Sequence, residues 1–195
     1  MTTDQKNTYK VSMDDIKALR GMSGAGIKDC KNALKENNDL STAIESYQKA
    51  IQLKPNFPEA YNNLGHTLNV QDRHVEAVQA YQKALQFKPN FPQALTNLGT
   101  VFHQQGKLKK AYSLFEEALK QNPKSFDTHF SFANIQYNEG AIDSAIESYQ
   151  KVIQLNPDFA DAHNNLGNAL KEQGNLSAAI DSYQKAIKLK PIFPE

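Results

Sequence analysis

Apolar and small residues recur along most of the chain at the spacing of amphipathic helices, in stretches separated by Pro, Gly or Asp turns. The stretches are near-copies of one another, as in SYQKAIQLKPNFPEAYNNLG, AYQKALQFKPNFPQALTNLG and SYQKVIQLNPDFADAHNNLG. A proline returns at a constant interval of 34 residues, at Pro55, Pro89, Pro123, Pro157 and Pro191. A fixed period of this length predicts an array of helical hairpins, in which each repeat supplies two antiparallel helices.

Within each repeat, small residues lie where the two helices are expected to approach each other. Counted from Pro58 as position 1, position 8 is Gly or Ala and position 20 is always Ala. Position 24 is a large ring, which we expect to fill the gap between hairpins. Position 15 falls at the hairpin turn and is Gly except for Asp72, a residue that turns tolerate. The residues at positions 8, 20 and 24 are Gly65, Gly99, Ala133 and Gly167; Ala77, Ala111, Ala145 and Ala179; and Tyr81, Phe115, Tyr149 and Tyr183.

These positions resemble the signature of the tetratricopeptide repeat family in register four times. The resemblance implies an all-α fold, a right-handed superhelical solenoid of antiparallel helix pairs with about eleven helices. The third repeat departs from the family pattern, with Gln136 at an apolar position, Ala133 in place of Gly and Val152 in place of Ala. The predicted repeats are 58–91, 92–125, 126–159 and 160–193.

The segment before the first complete repeat combines half a repeat with a different motif. Residues 40–54 fit a second helix of the repeat type. Upstream, the run GAGIKDCKNAL and the Asn-Asp-Leu turn after it resemble the ubiquitin-associated-like N-terminal domain of elongation factor Ts. We therefore predict a flexible N-terminus over 1–11, followed over 12–57 by a three-helix cap whose third helix merges into half a tetratricopeptide hairpin.

Two roles are open for this N-terminal segment. The first is to cap the open end of the array with a polar outer face, which terminal repeats need. The second is to dock a translation-linked partner. Exchange-factor activity is not expected, because SYQKAIQLKP follows the segment where elongation factor Ts has its own next motif and a much larger core.

A candidate binding face follows from the family's architecture, in which the concave wall is built from first helices. In this chain the wall is rich in Asn, whose side chain offers both a donor and an acceptor to a peptide unit. The arrangement is similar to the asparagine ladder of O-linked N-acetylglucosamine transferases, which implies that Asn63, Asn97 and Asn165 clamp a peptide backbone. Asn is also the family consensus there and is common on solvated helix faces, so a structural role is the alternative.

The third repeat interrupts this ladder, because Ser131 stands where the other repeats have Asn. There we expect Phe130 and Tyr137 to offer a stacking or apolar pocket instead. The candidate peptide-binding residues are Asn62, Asn63, His66, Asn97, Thr100, Phe130, Ser131, Asn134, Tyr137, Asn164, Asn165 and Asn168.

Charges on the wall indicate which ligands it favours. In some family members a carboxylate clamp captures the C-terminal acid of a peptide, and this clamp needs Lys or Arg at position 2, 5 or 6. Position 2 here is acidic in three repeats, which disfavours a terminal carboxylate and favours peptides that carry Lys or Arg. The residues at position 2 are Glu59, Gln93, Asp127 and Asp161.

Composition excludes several function classes. The chain has 22 Lys and Arg against 21 Asp and Glu, which predicts neither a nucleic-acid nor a membrane partner. A single cysteine, Cys30, rules out an intramolecular disulfide and a thiolate metal cluster. We find no phosphate-binding loop, nucleophile elbow or metal-ligand motif, and so predict no enzyme activity, no cofactor and no metal. The sequence lacks a signal peptide or a membrane-length apolar run, which predicts a cytoplasmic protein.

These features predict a protein–protein interaction scaffold that binds an extended peptide or protein segment in the Asn-lined groove. One alternative is the substrate-recruiting N-terminal region of a larger glycosyltransferase or sulfotransferase, because KPIFPE stops where another first helix would begin. Another is a translation-linked adaptor acting through the N-terminal segment. The last helix is expected to expose its apolar stripe, which suggests a homodimer through this helix as a further partner.

Overall fold

The computed structural model describes residues 40–190, where all regular secondary structure is α-helical. The chain divides into two compact units, Met1–Pro89 and Asn90–Glu195. The predicted all-α fold of antiparallel helix pairs is therefore confirmed, whereas the start of the predicted N-terminal cap lies outside the described residues. The helices are α1 (Leu40–Leu53), α2 (Pro58–Val70), α3 (His74–Phe87), α4 (Pro92–Gln104), α5 (Leu108–Gln121), α6 (Phe126–Asn138), α7 (Ile142–Leu155), α8 (Ala160–Glu172) and α9 (Leu176–Leu189).

From residue 40 onward, the first unit contains one half repeat and one complete hairpin. Helix α1 is the second-type helix expected over residues 40–54, and it packs on α2 through its buried stripe. Helices α2 and α3 form the hairpin. Pro58 begins α2 and Pro92 begins α4, where the fixed proline φ suits a helix and the missing N–H would have had no partner. Buried residues of α1 are Ala43, Ile44, Tyr47 and Ala50.

Each first helix ends in a left-handed residue at the hairpin turn. In α2 this residue is Asp72, with φ 58°, and its N–H donates to the Asn69 carbonyl at 3.0 Å. The next N–H, of Arg73, donates to the Leu68 carbonyl at 3.0 Å, which completes a Schellman motif. The expectation that Asp replaces Gly at this turn is confirmed. The equivalent glycines, with φ of +70°, +76° and +89°, are Gly106, Gly140 and Gly174.

Over residues 90–190, the second unit consists of three consecutive hairpins, α4–α5, α6–α7 and α8–α9. Helix α6 packs against both α4 and α5, and α8 packs against both α7 and α6. The first helices α4, α6 and α8 are therefore successive neighbours along one side of this unit. This arrangement places the candidate residues of the second, third and fourth repeats in a row.

The glycines at position 8 are needed because an aromatic ring lies directly against them. A Cβ on Gly99 would lie 2.9 Å from Cε2 of Phe115, and one on Gly167 would lie 2.6 Å from Cε1 of Tyr183. The ring at position 24 thus packs inside its own hairpin, a contact that the sequence pattern did not predict. Phe115 also reaches the next hairpin, where it stacks on Phe132 with ring centroids 5.2 Å apart.

Gln136, the polar residue at an apolar position of the third repeat, has a hydrogen-bond partner within the protein. Gln136 is buried, and its Oε1 accepts a hydrogen bond from Ser148 Oγ at 2.7 Å across the α6–α7 hairpin. A buried amide with such a partner avoids the desolvation cost of an unpaired polar group. Ala133 and Val152, the other departures of this repeat, are fully buried in the packing.

Candidate functional site

The predicted residues of the first unit lie on α2 with unequal exposure. Asn62 is only 2% exposed, and its Nδ2 donates to Oδ1 of Asn63 at 3.4 Å. Asn63 is half-buried, and His66 is exposed. Asn62 is therefore a buried partner of its neighbour in this structure, while Asn63 and His66 reach the surface.

In the second unit, two side chains donate hydrogen bonds to the side-chain oxygen of Asn134. Tyr149 Oη donates to Asn134 Oδ1 at 2.7 Å, and Asn165 Nδ2 donates to the same oxygen at 3.0 Å. Asn164 Nδ2 in turn donates to Asn165 Oδ1 at 3.3 Å. Because the Asn134 oxygen already accepts two bonds, its amide group is turned so that Nδ2 is the atom left to donate.

Tyr149 is the residue that sets this orientation. It lies on α7, it is almost completely buried, and burial raises the pKa of its hydroxyl to about 12. A hydroxyl that stays protonated at neutral pH can donate, as it does here to the oxygen of the Asn134 amide. The predicted wall residue is thus held by a second-helix residue that was not among the candidates.

The same contact recurs one repeat later. Tyr183 Oη donates to Asn168 Oδ1 at 2.8 Å, with the same separation in sequence as Tyr149 and Asn134. The second repeat has neither partner, because Phe115 replaces Tyr, and its Thr100 hydroxyl donates to the Thr96 carbonyl at 3.1 Å. The pairing of Tyr at position 24 with Asn at position 9 was therefore a signal readable in the sequence.

Phe130 and Tyr137, which are predicted to offer a stacking or apolar pocket, already make contacts within the protein. Both are half-buried and pack against the core of α6–α9. The Phe130 ring lies edge-on to Phe159, with centroids 4.8 Å apart. Tyr137 Oη donates to Glu172 Oε1 at 2.6 Å, and this bond raises the pKa of the Tyr137 hydroxyl. Much of both rings is thus occupied by contacts within the protein.

Two cavities open along the α4–α6 boundary, and Ser131 lines both. One has a volume of about 590 Å³ and includes Thr100, His103 and Asn134 in its wall. The other has a volume of about 550 Å³ and includes Asn97 and Asp127. The residue that interrupts the ladder therefore lies where two cavities meet between the first helices α4 and α6.

Acidic side chains on the first helices differ in their pairing. Glu59 forms an ion pair with Lys88 at 2.9 Å. Partial burial opposes ionisation of Glu59, but the hydrogen bond and the charge of Lys88 outweigh it and lower the pKa of this carboxyl. Within residues 40–190, neither Asp127 nor Asp161 has an ion-pair partner. Both carboxylates are exposed.

Two further observations concern the described residues as a whole. No cluster of three or more His, Cys, Asp or Glu side chains in residues 40–190 is arranged to hold a metal ion. In the same range, no helix combines the length and the apolar character needed to cross a membrane.

Comparison with curated proteins gives short matches to elongation factor Ts. The protein from Porphyromonas gingivalis is 58% identical over 43 residues, which is 22% of this chain and 16% of that protein. The protein from Thermotoga maritima is 56% identical over 41 residues, which is 20% of this chain and 21% of that protein. The chain therefore spans only about a fifth or less of the length of these relatives.

Solved structures similar to this chain are helical repeat proteins. YrrB, described as a TPR protein with an unusual peptide-binding site, is 26% identical with a TM-score of 0.62, covering 94% of this chain and 95% of YrrB. MamA is 24% identical with a TM-score of 0.67, covering 80% and 92%. PilF of Pseudomonas aeruginosa is 18% identical with a TM-score of 0.77, covering 92% and 80%. The last two similarities show the fold alone.

Family models agree with the repeat period. A model described as TPR repeat matches 32–69, 71–106 and 133–174, which together exceed half of the chain. A second model, described as tetratricopeptide repeat, matches 92–125 and 160–193. The chain therefore belongs to the tetratricopeptide repeat family.

Proposed function

We propose that this protein is a protein–protein interaction scaffold whose first helices bind an extended peptide segment through its backbone. The observation that carries the proposal is the fixed orientation of Asn134, whose oxygen accepts from both Tyr149 and Asn165. An amide held in this way presents N–H donors to the surface of the α4–α6–α8 side. The natural acceptors for such donors on a peptide are its backbone carbonyl oxygens, which every sequence provides.

Pre-orientation of these amides makes binding more favourable. A free Asn side chain loses rotamer freedom when it binds a ligand, whereas Asn134 and Asn168 are already held by buried or half-buried tyrosines. The peptide-binding site described for YrrB, whose fold this chain shares along most of its length, adds support for a peptide ligand. We therefore expect affinity to depend weakly on peptide sequence along this row.

The test compares a double variant of the row with a matched control. Peptides would be selected from a random library against the full chain, labelled with fluorescein, and titrated by fluorescence anisotropy. Loss of two hydrogen-bonding amides in Asn134→Ala/Asn165→Ala should weaken every selected peptide about tenfold or more. The control is Gln150→Ala, which removes an exposed amide from α7 and should leave affinity unchanged. Equal affinities for the double variant and the wild-type chain would refute backbone clamping.

A second candidate function is self-association through α9, because its apolar residues are open to solvent. Leu176, Ile180 and Ile187 are 61%, 55% and 65% exposed, and they lie on one stripe of the helix. Contiguous apolar surface of this kind is typical of contact sites. Sedimentation equilibrium should then show a dimer that Ile180→Glu/Ile187→Glu converts to a monomer. A wild-type chain that stays monomeric at high concentration would eliminate this candidate.

A further inference from the structure

The gap in the ladder at Ser131 has a specific shape. Asn97 and Asn165 occupy the same repeat position on the neighbouring first helices, and the Ser131 side chain is shorter by a carboxamide group. Both cavities along the α4–α6 boundary, of about 590 and 550 Å³, have Ser131 in their walls. A bound backbone passing this point would therefore have room for a long side chain directed between α4 and α6.

The larger cavity contains polar groups that lack partners. Ser131 Oγ and Asn134 Nδ2 form no hydrogen bond within residues 40–190. Half-buried polar groups that converge in a concave site and remain unpaired are the usual means by which a binding pocket orients its ligand. Ser131 Oγ can accept as well as donate, whereas Asn134 Nδ2 can only donate, so Ser131 Oγ is the atom that would pair with an N–H group of a ligand.

The permanently charged side chains in the walls of the two cavities are both acidic. Glu139 lies in the wall of the larger cavity, where its Oε1 is bonded to His103 Nε2 at 3.0 Å. Asp127 lies in the wall of the smaller cavity and has no ion-pair partner in the described part of the chain. Neither cavity is lined by Lys or Arg. A ligand group that complements these walls carries positive charge.

We propose that the opening at Ser131 is a side-chain subsite for Lys or Arg of the segment bound along α4, α6 and α8. This inference rests on the proposed peptide-binding function and deepens it, because it adds a preference to a backbone clamp that is otherwise indifferent to sequence. The ammonium or guanidinium group enters the gap left by the short Ser131 side chain, with Glu139 and Asp127 on either side.

The experiment uses the full chain and three capped, fluorescein-labelled host peptides of Ala and Ser. One peptide is neutral, one carries Arg at spaced positions, and one carries Glu at the same positions. At low salt and neutral pH the Arg peptide should bind the wild-type chain about three- to tenfold more tightly than the neutral peptide, and the Glu peptide more weakly. Raising the salt concentration should shrink this preference, because exposed charges are screened.

Single variants distinguish the contribution of the opening at Ser131 from the contribution of the carboxylates near it. Ser131→Asn restores the ladder residue and fills the opening, so the Arg preference should disappear while the neutral peptide keeps its affinity. Glu139→Gln and Asp127→Asn should each reduce the Arg preference about two- to fivefold. Asp161→Asn is the matched control, because it removes the first-turn carboxylate at the same repeat position of α8, away from Ser131.

The outcomes distinguish the subsite from the scaffold function. Equal binding of the three peptides overturns the subsite, and so does an Arg preference that survives in Ser131→Asn. In either case the backbone clamp still holds if Asn134→Ala/Asn165→Ala weakens binding of the neutral peptide. An Asp161→Asn effect as large as that of Asp127→Asn would show a diffuse charge effect and also overturns the subsite. If no peptide binds the wild-type chain, both proposals fail.

Discussion

Helices α7 and α9 have nearly the same sequence, IDSAIESYQKVIQL and LSAAIDSYQKAIKL, yet their apolar residues lie in different surroundings. Ile146 of α7 is 7% exposed, whereas its counterpart Ile180 of α9 is 55% exposed. Helix α7 is covered by α8 of the following hairpin, while α9 packs mainly against α8 of its own hairpin among the described helices. Burial in this protein is thus supplied by the next repeat and not by the helix that carries the apolar stripe.

The largest test of this comparison removes the same side chain from both helices. Ile146→Ala should lower the free energy of unfolding by about 2–4 kcal/mol, because it leaves a cavity in a packed contact. Ile180→Ala should change it by less than about 0.5 kcal/mol, because the side chain is already in water. Urea denaturation followed by circular dichroism measures both. Similar losses for the two variants would mean that α9 is covered in solution, as in the proposed self-association.

A second test measures how the buried hydroxyl of Tyr149 makes the stability of the chain depend on alkaline pH. Its folded pKa is about 12, against about 10 in an unfolded chain, so its contribution to stability is complete below pH 10. As pH rises from about 10 towards 12, Tyr149 loses its proton in the unfolded chain before it does so in the folded chain. This difference favours the unfolded chain and lowers the free energy of unfolding by up to about 2.7 kcal/mol. Tyr149→Phe should therefore lose less stability over this pH range than the wild-type chain. Parallel losses in urea titrations would show that Tyr149 does not carry the effect.

Local signals in the sequence predicted local structure well. The left-handed residue at each hairpin turn follows from Gly or Asp at a fixed position, because the Schellman motif involves only adjacent residues. The small residues at position 8 were also predicted, although the ring they accommodate packs inside the hairpin as well as beyond it. The turn residue and the small residue at position 8 depend on contacts within one repeat, so they recur at the same position in each repeat and can be predicted from the sequence.

The functional face was predicted less completely, because it depends on contacts between distant residues. Asn62 and Asn164 share one repeat position, yet Asn62 is buried and Asn164 is exposed. The hydroxyl of Tyr149 meets Asn134 across the hairpin, a contact that neither the helical period nor the composition of the wall describes. The break at Ser131 was visible in the sequence, but the two cavities that meet there appear only once α4 and α6 are side by side.

The smallest effects are expected when a helical glycine that lies against an aromatic ring is replaced by Ala. The comparison is between the α4–α5 hairpin, which the next hairpin covers, and the last described hairpin, α8–α9. In Gly99→Ala the new Cβ would lie 2.9 Å from Cε2 of Phe115, a fully buried ring stacked on Phe132. This ring cannot move freely, so the cost of overpacking should exceed the gain of about 1 kcal/mol in helix propensity, and the variant should lose about 1–2 kcal/mol of unfolding free energy. In Gly167→Ala the new Cβ would lie 2.6 Å from Cε1 of Tyr183, whose ring is half-buried and can tilt.

For Gly167→Ala the opposing contributions nearly cancel. Tilting of Tyr183 would break its 2.8 Å hydrogen bond to Asn168, a loss of about 1 kcal/mol. Replacing a helical Gly by Ala gains about 1 kcal/mol of helix propensity, so stability should change little. Urea denaturation measures the net effect, and the side-chain amide signals of Asn168 in an NMR spectrum should shift. A Gly167→Ala loss as large as that of Gly99→Ala would show that the ring of Tyr183 is as tightly held as Phe115, contrary to the openness of the last hairpin.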